Sequence, residues 1–482
     1  MDFKAGGAPG RAQKTDVYVC FRGEGARDLK RLPVPDDALR KAAAAAAGEF
    51  SGKASETLLL HGGSGGRRLL LAGTGEDGGL EALRQAAGAA ARVIEERGLA
   101  DACFLLPAGD ADEARAAVEG AGLAAYVFDH LKSERKKPRL KRVTVAPESG
   151  KGSGLAAAVK EGAAVVDAVA FARDLGNLPG NVANAVYLAK RARELAGGGM
   201  TVRIHDRAAI KRMRMGAFGA VAQASDHEPR LIEMRWRGAG AKAPTLAFVG
   251  KGVTFDTGGI SIKPSAKMEE MKFDMCGGAA VLGLMHLVKA RKPRCNIHAL
   301  VPATDNMPAG NAYRPGDIVK ARNGKTIEII STDAEGRLLL CDALAYAAEK
   351  KPAFLVDLAT LTGACVVALG DAAAGLVGTG EELKDDLVAA GKASGERVWP
   401  MPLFSRYTEQ MQSPYADLKN AGGRNAGACT AAAFLREFVG DVPWAHLDIA
   451  GMAWTEKDAG TRRTGATGYG VRLLWELLKR RS

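Results

Sequence analysis

Apolar runs of strand length alternate with helix-like segments from about residue 200 onward. The strand candidates are Pro244–Val249, Asn296–Val301, Ala353–Leu358 and Trp444–Ile449. The helix candidates that follow several of them are Ala279–Ala290, Leu338–Lys350, Thr430–Phe438 and Val471–Arg480. Because apolar strands joined by helices are typical of sheets that are covered by helices, this alternation predicts one large central mixed sheet with helices packed on it.

The chain is too long for a single hydrophobic core, and a glycine-rich segment divides it. Its 482 residues exceed the roughly 250–300 at which single cores stop growing. Before residue 150, short strand-like runs mix with alanine-rich helical segments, as in a small α/β domain. The break lies at Glu148–Gly154, and the helical pattern of Leu155–Leu175 follows it. We therefore predict an N-terminal α/β domain over residues 1–152 and a larger domain over residues 153–482 that includes this connecting helix.

Composition and cysteine spacing indicate a globular protein of a reducing compartment. Hydrophobic residues make up 47% of the chain and charged residues 25%, which is ordinary for a folded domain. No apolar run reaches the roughly 18 residues of a membrane span, and the first residues lack the apolar core of a signal peptide. The seven cysteines show no C-x-x-C spacing, which favours buried free thiols. We expect a cytoplasmic protein without a membrane segment.

The net charge of the chain is +12, and much of it is concentrated in a basic run at Lys132–Arg142. The run holds seven cations and one acid, Glu134, so it contributes half of the excess positive charge. Such a run is typical of a solvated charged loop, and it also suits contact with the phosphates of DNA. The sequence leaves both interpretations open.

Three charged side chains lie within five residues in Ser331–Leu338: Asp333, Glu335 and Arg337. The segment falls between a strand-like run, Lys325–Ile330, and an apolar helical run. Ligand sites of α/β proteins tend to lie in such strand-to-helix connections. The alternative is a helix start whose first-turn acids are favoured by the helix dipole.

A second charged cluster lies about 70 residues upstream, between Lys251 and Asp274. Lysines and acids alternate along this cluster, in the order Lys251, Asp256, Lys263 and Asp274. Glycines occupy positions 250, 252, 258 and 259. Isolated charges in such apolar surroundings cost free energy unless they have partners or bind metal. Salt bridges between the lysines and the acids are the alternative to a metal site.

Charge arithmetic favours metal over salt bridges alone. Asp256, Asp274, Asp333 and Glu335 sum to −4, which two divalent ions would balance. The two lysines and Arg337 alone would leave this set one charge short. Oxygen ligands without a nearby histidine suit Zn, Mn or Mg. Two such ions about 3.5–4 Å apart could activate a water for attack on a carbonyl group.

The remaining nucleophile and ligand candidates are weaker. His286 lies in an apolar helical run and His298 and His446 lie in strand-like runs, which is typical of core histidines. Ser261 and Ser331 have no histidine nearby in the sequence, which argues against a serine hydrolase.

These charged segments carry a close resemblance to the leucine aminopeptidase (cytosol aminopeptidase) family. The matching segments are Val249–Pro264, Met271–Ala279 and Thr332–Leu338, with support from Ala172–Pro179, Ala359–Ala364 and Gly465–Arg472. The likeness covers roughly residues 172–482 and is weak over residues 1–150, where the family is variable. One departure is Asn181–Val186, which lacks the Thr-Pro pair that is more frequent in the family.

The resemblance implies a role for each charged residue. Asp256 and Glu335 would bridge two metal ions, Asp333 would complete the more exchangeable site, and Lys251 and Asp274 would complete the tighter one. Lys263 would polarise the scissile carbonyl, and Arg337 would hold a bicarbonate as general base. The substrate-binding positions implied in the same way are Met271, Thr360, Leu361, Gly363, Ala450 and Met452.

We therefore predict a two-metal aminopeptidase that hydrolyses the N-terminal residue, preferably leucine, from peptides. The resemblance also implies a homohexamer whose active sites face an interior cavity. The alternative function is a DNA-binding regulatory or architectural protein, alone or as a second role. The complete ligand set argues against an inactive scaffold. The preferred metal and the physiological peptides are not determined by the sequence.

Overall fold

The computed structural model describes residues 1–10, 14–25 and 29–481 and consists of two compact units. The first unit comprises Met1–Ala170 and Glu456–Thr464, and the second comprises Phe171–Thr455 and Gly465–Ser482. The predicted fold class, a small N-terminal α/β domain followed by a larger α/β domain with a mixed sheet, is confirmed.

The first unit contains a six-stranded sheet in the order β1-β6-β5-β2-β4-β3, in which β3 alone is antiparallel to its neighbour. Its strands are β1 (Asp2–Ala5), β2 (Val17–Gly23), β3 (Thr57–Leu60), β4 (Arg68–Gly75), β5 (Asp101–Leu106) and β6 (Arg142–Pro147). Its helices are α1 (Asp37–Ala45), α2 (Gly79–Glu96), α3 (Ala111–Ala124) and most of α4 (Leu155–Asn177). Short 3₁₀ turns lie at Leu29–Arg31 and Ser64–Gly66.

Strand β2 shows why this sheet is covered on both faces. Val17, Val19 and Phe21 belong to the core that includes α2 and α3 residues, whereas Tyr18 and Cys20 belong to the core on the other face. Successive strand residues point to opposite faces, so a strand that is apolar throughout needs helices on both.

The division between the units differs from the predicted boundary after residue 152. The first half of α4 packs with the first unit, because Leu155 and Val159 belong to its hydrophobic core. Residues Glu456–Thr464 also return to this unit, where Thr461 N donates a hydrogen bond of 3.0 Å to Gln85 Oε1. The prediction relied on the glycine-rich break, which gives no indication of these contacts.

The second unit contains a nine-stranded mixed sheet in the order β16-β15-β18-β14-β9-β11-β8-β7, with β10 also paired to β11. Its strands are β7 (Met200–His205), β8 (Arg230–Arg237), β9 (Thr245–Gly250), β10 (Gly252–Asp256), β11 (Asn296–Asn306), β14 (Phe354–Ala359), β15 (Ala374–Gly378), β16 (Val398–Pro400) and β18 (Trp444–Asp448). Strands β12 (Ile318–Lys320), β13 (Thr326–Glu328) and β17 (Leu418–Lys419) form a small sheet, and β19 (Trp454–Thr455) pairs with β20 (Gly465–Ala466).

Helices surround this sheet. They are α5 (Ala185–Arg193), α6 (Arg207–Arg212), α7 (Gly216–Ala222), α8 (Cys276–Arg291), α9 (Gly336–Ala348), α10 (Gly363–Leu369), α11 (Glu381–Ser394), α12 (Ser405–Glu409), α13 (Gly427–Arg436) and α14 (Val471–Arg481). A 3₁₀ segment, Met268–Met275, leads into α8. The four central strands β11, β9, β14 and β18 are parallel, so their carboxyl ends meet at one edge of the sheet.

The cysteines and the most apolar helical segment lie in the core. All seven cysteines are buried and free, which confirms the prediction of buried thiols. Among the described residues, one helical segment, Met268–Arg291, is long and apolar enough to cross a membrane. Because 83% of its most apolar window is buried inside the protein, it has the burial of a core helix.

Candidate metal centre

The charged residues of both sequence clusters lie at the carboxyl edge of the parallel strands. Lys251 lies between β9 and β10, and Asp256 ends β10. Asp274 lies in the 3₁₀ segment before α8, and Glu335 directly precedes α9. In open α/β sheets this edge is the usual position of ligand sites, because loops from several strands converge there.

Lys251 is a buried cation that joins the two clusters. Its Nζ lies 2.7 Å from Asp274 Oδ1 and 2.8 Å from Glu335 Oε1, and it donates a hydrogen bond of 2.9 Å to the Thr360 carbonyl. A Cβ atom at Gly336 would lie 2.6 Å from this Nζ, so a larger residue there would displace the Lys251 side chain. Burial alone lowers the pKa of Lys251, but the neighbouring carboxylates outweigh it and raise the pKa.

Lys263 is the second cation of the centre. Its Nζ lies 2.7 Å from Asp256 Oδ2 and also pairs with Asp333. Burial alone lowers its pKa, but Asp256, followed by Glu335 and Asp333, raises it. Its side chain is 21% exposed, which leaves the ammonium accessible from outside the cluster.

The four carboxylates are insufficiently neutralised. Burial raises the pKa of Asp256 to about 6, with a further contribution from Glu335. Burial also raises the pKa of Asp274 and Asp333, whereas Lys251 and Lys263 lower that of Glu335 despite its burial. Four negative charges therefore face two lysines.

The arrangement fits divalent metal. Asp256, Asp333 and Glu335 can each offer an oxygen atom, and these atoms lie within 4.8 Å of one another. Asp274 Oδ2 is buried and has no hydrogen-bond partner within the described part of the chain. A buried carboxylate oxygen without a donor is costly, and a cation would satisfy it. The lysine salt bridges of the alternative interpretation exist, but they leave two acid charges unbalanced.

Arg337 lies in the first turn of α9, where it is 8% exposed. Its Nη1 donates a hydrogen bond of 2.8 Å to the Asn420 carbonyl, and it forms no ion pair among the described residues. It therefore forms no direct salt bridge with the acids, although the charge count above included it. Burial lowers its pKa to about 10. Its Nε is buried without a partner in the described ranges, so it retains a donor for a bound anion.

Two asparagines that sequence reasoning missed hold the charged segments in place. Asn306 Nδ2 donates to Asp256 Oδ1 at 2.8 Å and to the Thr332 carbonyl at 3.0 Å. Asn420 Oδ1 accepts from Ile330 N at 2.8 Å, and its Nδ2 donates to the Ser331 carbonyl at 2.7 Å. Both lie far from the charged motifs in the sequence, and neither forms a motif that would have identified it.

Asp448, also missed, organises the loop that follows β14. Its carboxylate accepts hydrogen bonds from Thr362 Oγ1 at 2.6 Å, from Leu361 N at 3.2 Å and from Ala450 N at 3.2 Å. Thr360 Oγ1 donates to Asp274 Oδ1 at 2.8 Å. Among the predicted substrate residues, Thr360 is therefore bonded to the centre, and Leu361 and Ala450 are linked through Asp448.

The other three predicted substrate residues are placed less closely. Gly363 is the first residue of α10 and is exposed, and Met271 lies in the 3₁₀ segment that leads to Asp274. Met452 is 3% exposed, and its carbonyl accepts a hydrogen bond of 2.6 Å from Thr467 Oγ1.

Comparisons with known proteins identify a family that this chain resembles over most of its length. The sequence profile of the cytosol aminopeptidase family, catalytic domain, matches residues 170–475, and that of the family's N-terminal domain matches residues 31–135. A probable cytosol aminopeptidase of Syntrophotalea carbinolica is 43% identical over 99% of this chain and 100% of its own length. The cytosol aminopeptidase of Pseudomonas aeruginosa is 41% identical over 100% of both.

Two solved structures are similar over nearly the whole chain. A mutant of tomato leucine aminopeptidase has a TM-score of 0.90 and 34% identity, covering 100% of this chain and 96% of that chain. The bottromycin maturation enzyme BotP in complex with Mn has a TM-score of 0.84 and 32% identity, covering 97% of this chain and 99% of that chain.

Proposed function

This chain belongs to the cytosol aminopeptidase family, and from that premise we propose that it is a two-metal aminopeptidase that removes N-terminal leucine by preference from peptides. The observation that carries the proposal is the mismatch at the centre, where three buried acids and the exposed Asp333 face only two lysines. Such a site is costly to fold unless cations occupy it. The excess of acids over lysines therefore supports cation binding and not salt bridging alone.

The ligands would divide into two sets that share the bridging residues Asp256 and Glu335. Lys251 and Asp274 would complete the tighter set, and Asp333 would complete the more exchangeable one. When bound, two divalent ions, either Mn or Zn, with Mg as a further option, would supply an activated water and would polarise the substrate carbonyl. The solved BotP complex with Mn supports a divalent ion in this fold.

Lys263 would act on the substrate directly. Its ammonium is partly exposed and is held between Asp256 and Asp333, and its raised pKa keeps it charged at neutral pH. A fixed positive charge beside the scissile carbonyl stabilises the oxyanion that develops during hydrolysis.

Arg337 would bind the general base. A guanidinium cannot take up a proton, but its planar donors match a planar oxyanion such as bicarbonate. Arg337 Nε has no partner in the described part of the chain, and Arg337 Nη1 is held by the Asn420 carbonyl. The donors of the guanidinium are therefore oriented. A bicarbonate held there would supply the proton acceptor, because the acids of the centre would already be bound to metal.

The preference for leucine rests on the residues expected around the substrate. They are Met271, Thr360, Leu361, Gly363, Ala450 and Met452. Methionine side chains are unbranched and adapt to apolar groups, which suits leucine or methionine better than a charged side chain.

A single assay tests this function. Leucine p-nitroanilide and glutamate p-nitroanilide are offered to the enzyme after chelation and after restoration with Mn²⁺. We expect cleavage of the leucine substrate only after restoration, with little cleavage of the glutamate substrate. Full activity of rigorously chelated enzyme would contradict metal dependence, and equal rates on both substrates would contradict the leucine preference.

Assembly and location follow from the same family resemblance. We propose a homohexamer with its active sites toward an interior cavity, which would restrict access to short or unfolded peptides. Sedimentation should then give six times the chain mass of 50.3 kDa, and a monomer would contradict it. The seven free cysteines and the relatives named cytosol aminopeptidases support a cytoplasmic location.

DNA binding remains the alternative role, and the exposure of the basic run favours it. All seven cations of Lys132–Arg142 are exposed. Phosphate contacts should give duplex binding at about 50 mM salt that weakens steeply as salt rises. Replacement of Lys136, Lys137, Arg139 and Lys141 by Ala should abolish it. If duplex is not bound at low salt, or if binding survives these replacements, the run is a solvated loop.

A further inference from the structure

A pocket of the second unit is lined by cations and shares no residue with the metal centre. Helices α6 and α7 form one wall, and strand β12 with the turn that follows it forms the other. Its volume is about 1070 Å³, at the upper end of the roughly 300–1,000 Å³ of small-molecule sites. The lining of this basic pocket contains no acid and five cations: Arg207, Lys211, Arg214, Lys320 and Arg322.

Three of the five cations have no acidic partner. Arg207 Nε lies 3.3 Å from Glu228 Oε1, and Arg322 Nη2 lies 2.8 Å from Glu349 Oε2, so these two are paired with acids outside the lining. The other three are exposed and form no ion pair within the described part of the chain: Lys211, Arg214 and Lys320. A concave surface that is lined by one sign of charge focuses the electrostatic potential and attracts ions of the opposite sign. The basic pocket therefore favours an anion.

The floor of the basic pocket is apolar. Ile210, Met215 and Ala222 line it and are at most 2% exposed, and Val319 adds a half-buried apolar side chain. Small-molecule sites combine such an apolar lining with a few polar groups that fix the orientation of the ligand. Contact with the backbone of a DNA duplex would need the cations but not the apolar floor. The combination favours a small anion that also carries an apolar body.

A buried acid holds the two walls of the basic pocket together. Asp342 of α9 is fully buried, and its two oxygens accept hydrogen bonds from Phe218 N at 2.9 Å and from Arg322 N at 2.7 Å. Phe218 belongs to α7 and Arg322 to the turn after β12, so one side chain joins both walls. Arg322 Nη1 also donates to the Met213 carbonyl at the end of α6. The pocket is therefore preformed, which lowers the cost of ordering it on binding.

We propose that the basic pocket is a binding site for a small organic trianion, a molecule that carries three negative groups on an apolar body. Lys211, Arg214 and Lys320 bind the negative groups, and the apolar floor contacts the body. The negative groups are phosphates or carboxylates, since both pair with lysine and arginine. The inference does not depend on the aminopeptidase function, because the pocket contains no residue of the metal centre.

Isothermal calorimetry with two probes tests the site and distinguishes the two chemistries. Trimesate, a benzene ring with three carboxylates, is titrated into Mn²⁺-restored enzyme. ATP is titrated into chelated enzyme, because ATP would otherwise remove the metal. At about 50 mM salt, where charges are weakly screened, we expect one molecule of at least one probe to bind per chain. The probe that binds more tightly identifies the preferred anionic group.

Two triple variants with the same change in net charge separate a specific site from general attraction. The pocket variant is Lys211→Gln/Arg214→Gln/Lys320→Gln, and the control is Lys136→Gln/Lys137→Gln/Lys141→Gln in the exposed basic run of the first unit. The pocket variant should weaken binding about tenfold or more, because three charge contacts are lost, whereas the control should change Kd less than about twofold. All six residues are exposed, so both variants should keep the wild-type melting temperature. If the pocket variant melts lower, the single variants Lys211→Gln and Lys320→Gln replace it, and each should still weaken binding.

Several results would overturn the inference. They are the absence of binding by both probes, equal weakening in the two triple variants, and trimesate binding that disappears when Mn²⁺ is removed, which would place the probe at the metal centre. Duplex binding that is lost in the pocket variant, with neither probe bound, would assign these cations to DNA instead. An enzyme that binds a probe as expected but cleaves no leucine substrate would contradict the proposed function and leave this site intact.

Discussion

Two buried glutamates of the catalytic unit have opposite surroundings. Glu233 on β8 is 1% exposed and lies 2.9 Å from His205 Nε2, 3.0 Å from His298 Nε2 and 2.7 Å from Arg235 Nη2. Burial alone raises its pKa, but these donors together lower it well below the usual range. Glu335 is 2% exposed and shares Lys251 with Asp274.

The difference lies in how many donors each acid receives. Around Glu233, one carboxylate has three basic partners, so its charge is stabilised by the chain alone. Around Glu335, four carboxylates share two ammonium groups, and burial raises the pKa of three of those acids. A buried acid with enough donors stabilises the fold, whereas a group of acids with too few donors is suited to binding a cation.

The strongest test of this comparison makes the same substitution at both glutamates. Glu335→Gln should lower kcat by about a thousandfold or more, because a proposed bridging carboxylate is lost while side-chain volume is kept. Glu233→Gln should lose on the order of 3 kcal/mol of unfolding free energy and keep its kcat. Reversed effects of the two substitutions on stability and kcat would remove the distinction.

A second prediction concerns the exposed side of the centre. Lys263→Ala should lower kcat by about a hundredfold and raise KM much less, because its charge acts mainly on the transition state. Arg235→Ala is the matched control, since Arg235 is a cation paired to a buried acid away from the centre. It should leave both constants unchanged. A Lys263→Ala enzyme altered only in KM would assign this lysine to substrate binding.

A smaller effect is expected in the pH dependence of stability of the metal-free protein. Burial raises the pKa of Asp256 to about 6, above its value in the unfolded chain. The contribution of Asp256 is therefore fully present below about pH 4 and is lost as pH rises through 6, on the order of 2 kcal/mol. Asp256→Asn should flatten this part of the profile. Chemical denaturation at pH 5 and pH 7 measures it, and a wild type that gains stability relative to the variant over that interval would contradict the account.

The sequence predicted the elements whose signal is local. Apolar runs gave β9, β11, β14 and β18 to within a residue or two at their starts, and the helices that follow them were placed correctly. The predicted strand Lys325–Ile330 is shorter in the structure, Thr326–Glu328, and the short edge strands were not predicted. Such short strands form because neighbouring strands pair with them, so their own sequence contains little local pattern that predicts them.

The charged motifs predicted the centre better than its supports. Asp256, Asp333 and Glu335 converge as expected, because each follows a strand or precedes a helix at the same sheet edge. Asn306 and Asn420 hold those segments, and Asp448 holds the loop after β14, through hydrogen bonds that cross at least 26 residues of sequence. His446 was predicted to be a core histidine, and its burial confirms that. Its neighbours across the sheet could not be read from the sequence.

Metal stoichiometry tests the central claim most directly. Chelated and desalted protein is titrated with Mn²⁺ by isothermal calorimetry, with Glu233→Gln and Glu335→Gln measured in parallel. The account predicts two ions per chain for wild type and for Glu233→Gln, and a loss of at least one site for Glu335→Gln. Absence of binding, or full peptidase activity with no ion bound, would show that the crowded acids do not constitute a metal centre.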